Sequence, residues 1–369
     1  MGHREGIHDP RVGGSRSCGG RVETLRCRSS GAKTLYAGVG VVTSGCVLLR
    51  TIRVSDGDPW VTRGACPVAI SRRQFVSATC GLCVASVSTY AFGIAPHRLL
   101  VTRHRMGGGP GPVLRVAQLS DLHLKRIGPY TERVIAAVHE ARPDLVLLTG
   151  DAIDRADALP VLAGLLALLP SGSARLAILG NWEHWSGVDL RRLAACYERA
   201  GWQLLRNASV RLVFGGAELL VTGLDDLVGG RPDVRASLHD HDPAPNHLLL
   251  AHCPTHREFF TQEVAAPPPL GARLAPVAPG LRTPQLMLAG HTHGGQLALG
   301  RWAPARPRGS GRYVAGWYRD DAIALYVSRG IGTSVLPVRL GAPPELVLIE
   351  WTLNASGVSD APDDSGPGP

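Results

Sequence analysis

Apolar runs alternate with amphipathic stretches along the middle of the chain, between residues 113 and 201. Short, mostly apolar runs predict strands at 113–119, 145–149 and 174–179, of which 145–149 is expected to be buried. Apolar positions three and four residues apart predict helices at 131–141, 158–169 and 188–200, the last closed by Gly201. Strands that alternate with helices in this way usually pair in parallel, so the pattern predicts an α/β domain.

The pattern changes beyond residue 205, where apolar runs follow one another with few helical stretches between them. Strands are predicted at 209–214, 218–222, 247–251, 285–289, 322–327 and 345–351. A second, mixed sheet that packs on the first accounts for these runs. The Pro-rich segment 265–284 predicts a surface loop between two of the strands.

Both ends of the chain lack this periodicity. Residues 1–34 are rich in Gly, Arg and Ser, and the whole of residues 1–70 is expected to be a disordered or mis-annotated N-terminal extension. Residues 354–369 have a Gly, Pro, Ser and Asp composition that predicts a disordered tail. The Gly- and Pro-rich segment 106–112 marks the start of the main domain, which is predicted to span residues 107–353.

A pair of arginines precedes a long uncharged stretch. Ser71-Arg72-Arg73-Gln74-Phe75 is followed by 19 residues without charge, at 76–94. This arrangement resembles a twin-arginine export signal, so residues 71–96 are predicted to be a twin-arginine-like signal or a membrane anchor. A buried core helix is the remaining alternative. Either of the first two interpretations places the protein at the cell membrane or in an extracytoplasmic compartment.

The net charge of +9 is unevenly distributed along the chain. Residues 1–106 contain 15 Lys and Arg against 5 Asp and Glu, whereas the remainder contains 24 against 25. A protein that binds a phosphate backbone carries its positive charge on the binding domain. The near-neutral main domain therefore argues against nucleic acid as a partner.

Five short clusters of metal-ligand residues follow apolar runs of the main domain. They are Asp121-Leu122-His123, Gly150-Asp151, Gly180-Asn181-Trp182-Glu183, His252, and Gly290-His291-Thr292-His293. Loops at the carboxyl ends of strands can bring such residues into one site. Imidazole, carboxylate and amide ligands without a thiolate suit manganese, iron or zinc. Each cluster alone is more often a turn, a cap or a satisfied histidine, so the prediction of a metal site depends on all five together.

The five motifs together resemble the calcineurin-like metallophosphoesterase superfamily, whose pattern is DxH, GD, GNH(D/E), H and GHxH. The resemblance covers residues 113–351, and segments 328–334 and 343–346 resemble its bacterial membrane-linked or exported branch. It implies an α/β fold, a four-layer α/β/β/α sandwich of two mixed sheets flanked by helices. This expectation agrees with the two sheets predicted from the hydrophobic pattern.

The resemblance also implies a role for each candidate ligand. Asp121, His123 and His293 would hold one divalent ion, Asn181, His252 and His291 would hold a second, and Asp151 would bridge the two. Such a centre hydrolyses a phosphodiester or a pyrophosphate by metal-activated hydroxide, with Asp151 and Asn181 at the catalytic centre.

One position departs from the superfamily pattern. The histidine expected after Asn181, which contacts the phosphate or helps to protonate the leaving group, is replaced by Trp182. An indole donates a hydrogen bond but cannot transfer a proton near neutral pH. His184, two residues further on, is the candidate for the missing catalytic role, and a solvated surface histidine is the alternative.

These observations predict a monomeric metal-dependent phosphoesterase that acts on a phosphorylated small molecule or lipid, with membrane contact through the N-terminal segment. The lipid- or nucleotide-linked headgroup is an expectation from the branch resemblance. Trp182 motivates a different class, a catalytically weakened metal-bound binding protein. A nuclease is the third hypothesis, and it requires salt-sensitive DNA binding by residues 107–369.

Overall fold

The computed structural model describes residues 71–260, 283–300, 302–320 and 323–355, and two short antiparallel strands, β1 (Val42–Thr43) and β2 (Cys46–Val47). The rest of the predicted N-terminal extension lies outside the described residues. So do nearly all of the predicted disordered tail and of the Pro-rich loop.

A long apolar helix precedes the main domain. α1 (Arg72–Thr89) continues through a π-helical turn at Tyr90–Ile94 and a 3-10 turn at Ala95–His97. Within the described part of the chain, this continuous helical segment is the one long and apolar enough to cross a membrane. No residue of α1 is buried, so the alternative of a buried core helix is wrong.

The first sheet contains six strands and is mixed. In order across the sheet, they are β3 (Leu100–Met106), β14 (Glu345–Thr352), β4 (Val113–Leu119), β5 (Leu145–Thr149), β6 (Ala174–Ile178) and β7 (Gln203–Leu204). Strands β4 to β7 are parallel, and β14 runs antiparallel to β4 and parallel to β3. Strand β3 lies before residue 107, so the sheet includes a strand from outside the range predicted for the main domain.

The second sheet also contains six strands. In order, they are β12 (Gly316–Tyr318), β13 (Ala324–Val327), β11 (Leu286–Ala289), β10 (His247–Leu250), β9 (Ala217–Gly223) and β8 (Ala208–Phe214). The four inner strands are parallel, and β8 and β12 are antiparallel edge strands.

The alternation of side chains along the strands determines the layers. Leu147 of β5 and Leu248 of β10 belong to one buried cluster between the two sheets. Their sequence neighbours face the other way, since Leu148 packs under the helices and Leu249 lies on the outer face of the second sheet. The layers are therefore α/β/β/α, as predicted.

Three helices cover the first sheet, and a thinner layer covers the second. The three are α2 (Pro129–Ala141), α3 (Leu159–Leu168) and α5 (Leu190–Arg199). Residues of all three bury their apolar face in the cluster that contains Leu148. On the outer face of the second sheet lie α6 (Val234–Leu238), a 3-10 segment at Pro254–Phe259 and loops.

Candidate metal centre

The candidate ligands of both sheets lie just beyond the carboxyl ends of their strands. Asp121 follows β4, Asp151 follows β5, Asn181 opens the short helix α4 (Asn181–Trp185) after β6, His252 follows β10 and His291 follows β11. Because these strands are parallel within each sheet and the sheets pack face to face, their ends meet at one edge of the sandwich.

The structure brings six of the seven candidate ligands into two buried groups. Asp121, His123 and His293 form one group, and Asp151, His252 and His291 form the other, with the ligand atoms of each group within 4.8 Å of one another. The two groups adjoin at Asp151, whose Oδ2 lies 3.1 Å from His252 Nε2 and 3.8 Å from His123 Nε2. This position suits a carboxylate shared by two ions.

Asn181, the seventh candidate, tests independently whether the candidate ligands fit divalent metal ions. Its Oδ1 is buried and has no hydrogen-bond partner among the described residues. A buried acceptor without a partner is costly, and an amide oxygen is a suitable ligand for a divalent cation. The seven residues therefore fit two divalent ions in their residue types, burial and convergence.

Neighbouring carbonyls select which nitrogen of two histidines is available. His252 donates from Nδ1 to the carbonyl of Thr149 at 2.8 Å, which leaves Nε2 facing Asp151. His291 donates from Nε2 to the carbonyl of Arg308 at 2.6 Å, which leaves Nδ1 as its ligand atom. Such bonds fix the ring tautomer and orientation of metal-binding histidines.

Burial keeps most of the imidazoles in the neutral form that binds metals. It lowers the pKa of His123, of His291 and of His293. Burial raises the pKa of Asp151, but His252 and His123 lower it by more, so that it falls to about 2. His252 differs, because Asp151 and Asp121 raise its pKa more than burial lowers it. A cation would compete with a proton for that nitrogen.

Five of the candidate ligands have a left-handed backbone. Their φ angles are 51° at Asp121, 42° at His123, 52° at Asp151, 71° at His291 and 51° at His293. This conformation costs about 1–2 kcal/mol for each non-glycine residue. Hydrogen bonds between the loops hold it, since His123 N donates to Asp151 O at 3.0 Å and Asp121 N donates to Gly150 O at 3.0 Å.

Glu183 is a buried carboxylate beside the candidate ligands, to which the sequence assigned no role of its own. Its two oxygens accept four backbone N–H bonds: Asp151 at 3.0 Å, Ala152 at 2.5 Å, Ile153 at 3.3 Å and Gly180 at 2.8 Å. Burial and the Asp151 carboxylate raise the pKa of Glu183 to about 7, and the N–H donors oppose that shift. Its sequence signal is its place three residues after Gly180, where a carboxylate can cap the start of α4.

Two glycines allow the loops to approach the carboxylates. A Cβ at Gly180 would collide with Asp151 Oδ1, and a Cβ at Gly290 would collide with Ser120 Oγ and Asp121 Oδ2. Glycine is required at both positions because no side chain fits between backbone and ligand.

The candidate ligands open onto a cleft of about 580 Å³. Asp151 and Asn181 lie in its wall beside Trp182 and Trp185. The backbone N–H of Trp182 donates to Asp151 Oδ1 at 2.8 Å, and its ring lies edge-on to that of His123, with the centroids 5.9 Å apart. The indole therefore occupies a side of the cleft next to the candidate ligands.

His184 lies on another side of α4. Its Nε2 is 2.8 Å from Asp225 Oδ1, and its side chain is 10% exposed. Asp225 also accepts bonds from Arg206 Nε and from the backbone N–H of Arg231, both at 3.0 Å. The surface-histidine alternative is thus wrong, and a direct catalytic role for His184 stays a prediction.

The fold and the site define a class of protein, an α/β sandwich whose strand ends converge on a buried pair of metal-ligand groups. Residues 114–295 match the family model of the calcineurin-like phosphoesterases. This domain of the chain belongs to that superfamily and is a metal-dependent phosphoric ester hydrolase.

Two bacterial relatives match over nearly their whole length, and a bovine protein matches over about half of its length. The metallophosphoesterase YkuE of Bacillus subtilis is 29% identical over 76% of this chain and 96% of its own. The phosphodiesterase YaeI of Escherichia coli is 28% identical over 76% of this chain and 99% of its own. A transmembrane protein with a metallophosphoesterase domain, from Bos taurus, is 28% identical over 63% of this chain and 52% of its own.

Proposed function

We propose that the protein hydrolyses a phosphodiester or a pyrophosphate at a dinuclear metal centre. The observation that carries the proposal is the convergence of two buried ligand groups on Asp151, at the base of an open cleft. Manganese, iron or zinc is expected, because the ligand atoms are imidazole nitrogen and carboxylate or amide oxygen.

The chain supplies a fixed frame for that chemistry. Two divalent ions bound there would neutralise phosphate oxygens and lower the pKa of a coordinated water. Asp121, Asp151 and the histidines would hold this centre, and Glu183 fixes the loops that carry Asp151 and Gly180. The left-handed backbone at five of the positions keeps the ligand geometry set before substrate arrives.

Trp182 limits which substrates the site can cleave well. An indole in that wall can donate one hydrogen bond to a phosphate oxygen but cannot protonate a departing alkoxide. Phosphoesters whose leaving group is already a weak base are therefore favoured, including the phosphate leaving group of a pyrophosphate. The same residue supports a second candidate function, a metal-bound binding protein with weakened catalysis.

The apolar α1 supports placement at a membrane or beyond it. It begins with the twin-arginine-like pair Arg72-Arg73, and its side chains are exposed along its whole length. We include membrane attachment through this segment, a monomeric state, and a lipid- or nucleotide-linked phosphate as substrate in the proposal.

Hydrolysis of bis-p-nitrophenyl phosphate by the purified full chain tests the proposal. Manganese-dependent release of p-nitrophenol is expected, and Asp151→Asn should abolish it. Asp240→Asn is the matched control, because that carboxylate is exposed and pairs with His239. A panel of a phosphomonoester, a nucleotide pyrophosphate and a phospholipid then separates the substrate classes.

Two results would favour the other hypotheses. Absence of turnover with manganese, iron and zinc, together with retained metal binding, supports the binding protein. Salt-sensitive binding and cleavage of DNA supports the nuclease, which the near-neutral charge of residues 107–369 argues against.

A further inference from the structure

Large apolar side chains are exposed around the mouth of the metal cleft. We call them the apolar rim: Leu297, Leu299, Trp302, Val335, Leu336 and Leu340. Leu299 is 79% exposed, Trp302 66% and Val335 82%. Single exposed apolar residues are normal on a soluble protein, whereas a contiguous group marks an interaction surface.

The rim is one connected surface, because its two segments are bonded to each other. Leu297 bridges to Leu340, and Leu299 bridges to Trp302. Gln296 exchanges two hydrogen bonds with the backbone of Ser334, at 3.1 Å from its amide nitrogen and 3.0 Å to its amide oxygen.

The backbone conformation of Val335 holds its apolar side chain in an exposed position. Its φ angle is 58°, a left-handed conformation that is unfavourable for a β-branched residue. The fold holds a strained backbone at a position where the apolar side chain faces outward. Strain of this kind is concentrated at binding and functional sites.

The rim leads directly to the candidate metal centre. Leu297, Val335 and Leu336 line the same 580 Å³ cleft as Asp151 and His293. One end of the cleft is therefore polar and metal-binding, and the mouth is apolar. This arrangement suits a molecule that carries both a phosphate group and an apolar arm.

The rim is also continuous with the apolar helical segment. The backbone N–H of Arg339, next to Leu340, donates to the carbonyl of Ala91 at 2.9 Å. Ala91 and Ala95 are buried there, whereas Phe92 and Ile94 are 52% and 54% exposed. The apolar surface of the helix thus reaches the edge of the domain where the rim lies.

Cationic side chains lie near the same edge. Lys125, Arg126 and Arg133 line a second cavity, of about 640 Å³, which extends from His97 at the end of the helical segment to the candidate ligand His123. Basic groups beside an apolar surface favour contact with anionic lipid headgroups.

We propose that the apolar rim rests on the lipid bilayer that α1 enters, and that the cleft takes an amphiphilic phosphoester from that bilayer. The phosphate reaches the metal centre while the apolar arm stays along Leu297, Val335 and Leu336. The exposed tryptophan at 302 suits the headgroup region, where this side chain is enriched. The proposal rests on the hydrolytic function proposed above and names its substrate class.

Methyl, butyl and octyl p-nitrophenyl phosphates test the substrate class. In each, water adds to phosphorus, the bond to the aryl oxygen breaks, and p-nitrophenolate leaves with an alkyl phosphate as the other product. Because the scissile bond is constant, only the arm varies. Each buried methylene is worth about 0.8 kcal/mol, or roughly a fourfold change in kcat/KM. If about four methylenes of the octyl arm are buried against the rim, kcat/KM for the octyl ester should exceed that for the methyl ester by about 200-fold.

Two matched variants of the full chain assign that preference to the rim. Val335→Asp combined with Leu336→Asp should reduce the octyl-to-methyl ratio to below about threefold, because the arm then meets charge instead of apolar surface. Val213→Asp is the control, since Val213 is 66% exposed on the distant edge strand β8, and it should keep the wild-type ratio. Thermal melting of all variants checks that the fold is retained.

Fluorescence quenching measures docking independently of turnover. Vesicles of phosphatidylglycerol and brominated phosphatidylcholine should quench the full chain more strongly than its Trp302→Phe variant. Equal quenching of the two overturns the docking surface. Equal kcat/KM for the octyl and methyl esters overturns the substrate class and leaves the hydrolytic function standing.

Two further outcomes are also decisive. If no ester is hydrolysed at any metal loading, the proposed function is overturned, and the substrate class with it. The quenching experiment still tests the docking surface in that case. A wild-type dimer that the double variant converts to a monomer assigns the rim to a second copy of the chain, and overturns the proposal.

Discussion

Replacing Glu183 with Gln tests the reasoning about how the site is held. The carboxylate accepts four backbone N–H bonds, two at each oxygen, from the loop at 151–153 and from Gly180. An amide keeps one acceptor and turns an NH₂ group towards the other two donors. Two buried N–H groups are then left without an acceptor, at about 1–3 kcal/mol each.

The expected net loss in the free energy of unfolding is about 2–4 kcal/mol, because removing a buried charge offsets part of this cost. Urea denaturation of the metal-free full chain at about pH 8 measures it. The affinity for manganese should also fall by about 10- to 100-fold, since the Asp151 loop loses its anchor. Isothermal titration measures that second effect.

Glu198→Gln is the matched control for this experiment. Glu198 is exposed on α5, and the same chemical change there should alter the free energy of unfolding by less than about 0.5 kcal/mol. The reasoning is refuted if Glu183→Gln matches this control in stability and matches the wild type in manganese affinity.

Three further predictions follow from the same site. Trp182→His should raise kcat for phosphodiesters with an alkoxide leaving group by at least about tenfold, because a general acid helps a basic leaving group. The kcat for p-nitrophenyl esters should stay within about threefold of the wild-type value. Steady-state kinetics measures both, and an equal change in kcat for the two ester types would contradict the prediction. Removal of metal with a chelator should lower the melting temperature, and manganese at about 100 times its dissociation constant should restore about 2.7 kcal/mol per site, as calorimetry can measure. Burial raises the pKa of Asp225, but hydrogen bonds from His184 and Arg231 lower it by more, so that its pKa lies well below the usual range. Its contribution is therefore present above about pH 4 and is lost as the pH falls further, so the stability gap between wild type and Asp225→Asn should stay constant from about pH 7 to pH 5 and narrow from about pH 4 to below pH 3 in denaturant titrations. A gap that stays constant below pH 4 would refute the assigned contacts.

The hydrophobic pattern predicted the strands that carry the site. The ranges 113–119 and 145–149 coincide with β4 and β5, because short apolar runs between turn signals favour strands, and β5 is buried along its whole length. Within the two six-stranded sheets, strands β3, β7 and β12 were missed. β7 and β12 are too short for periodicity to register, and β3 is rich in basic residues because it is an edge strand.

The sequence predicted which residues converge but not how the backbone presents them. Strand-end placement was enough to group Asp121 with Asp151 and the histidines. The left-handed φ angles at these positions, and the four donors around Glu183, depend on contacts between loops that are distant in the chain. Arg329 Nη1 likewise forms a 3.0 Å ion pair with the buried Glu345, a partner that the sequence does not indicate.

The left-handed backbone at five candidate ligands has a consequence for how such a domain would change over generations. While metal binding is under selection, the cost of these conformations is offset by the ions. In a descendant that no longer needs metal, the left-handed backbone at these positions only destabilises the fold. Gly or Asn at 121, 151 or 291 would lower that cost with little other change. Substitution by Gly and Asn at these sites, more than by Ala or Ser, is thus the expected trace of a domain that has given up catalysis.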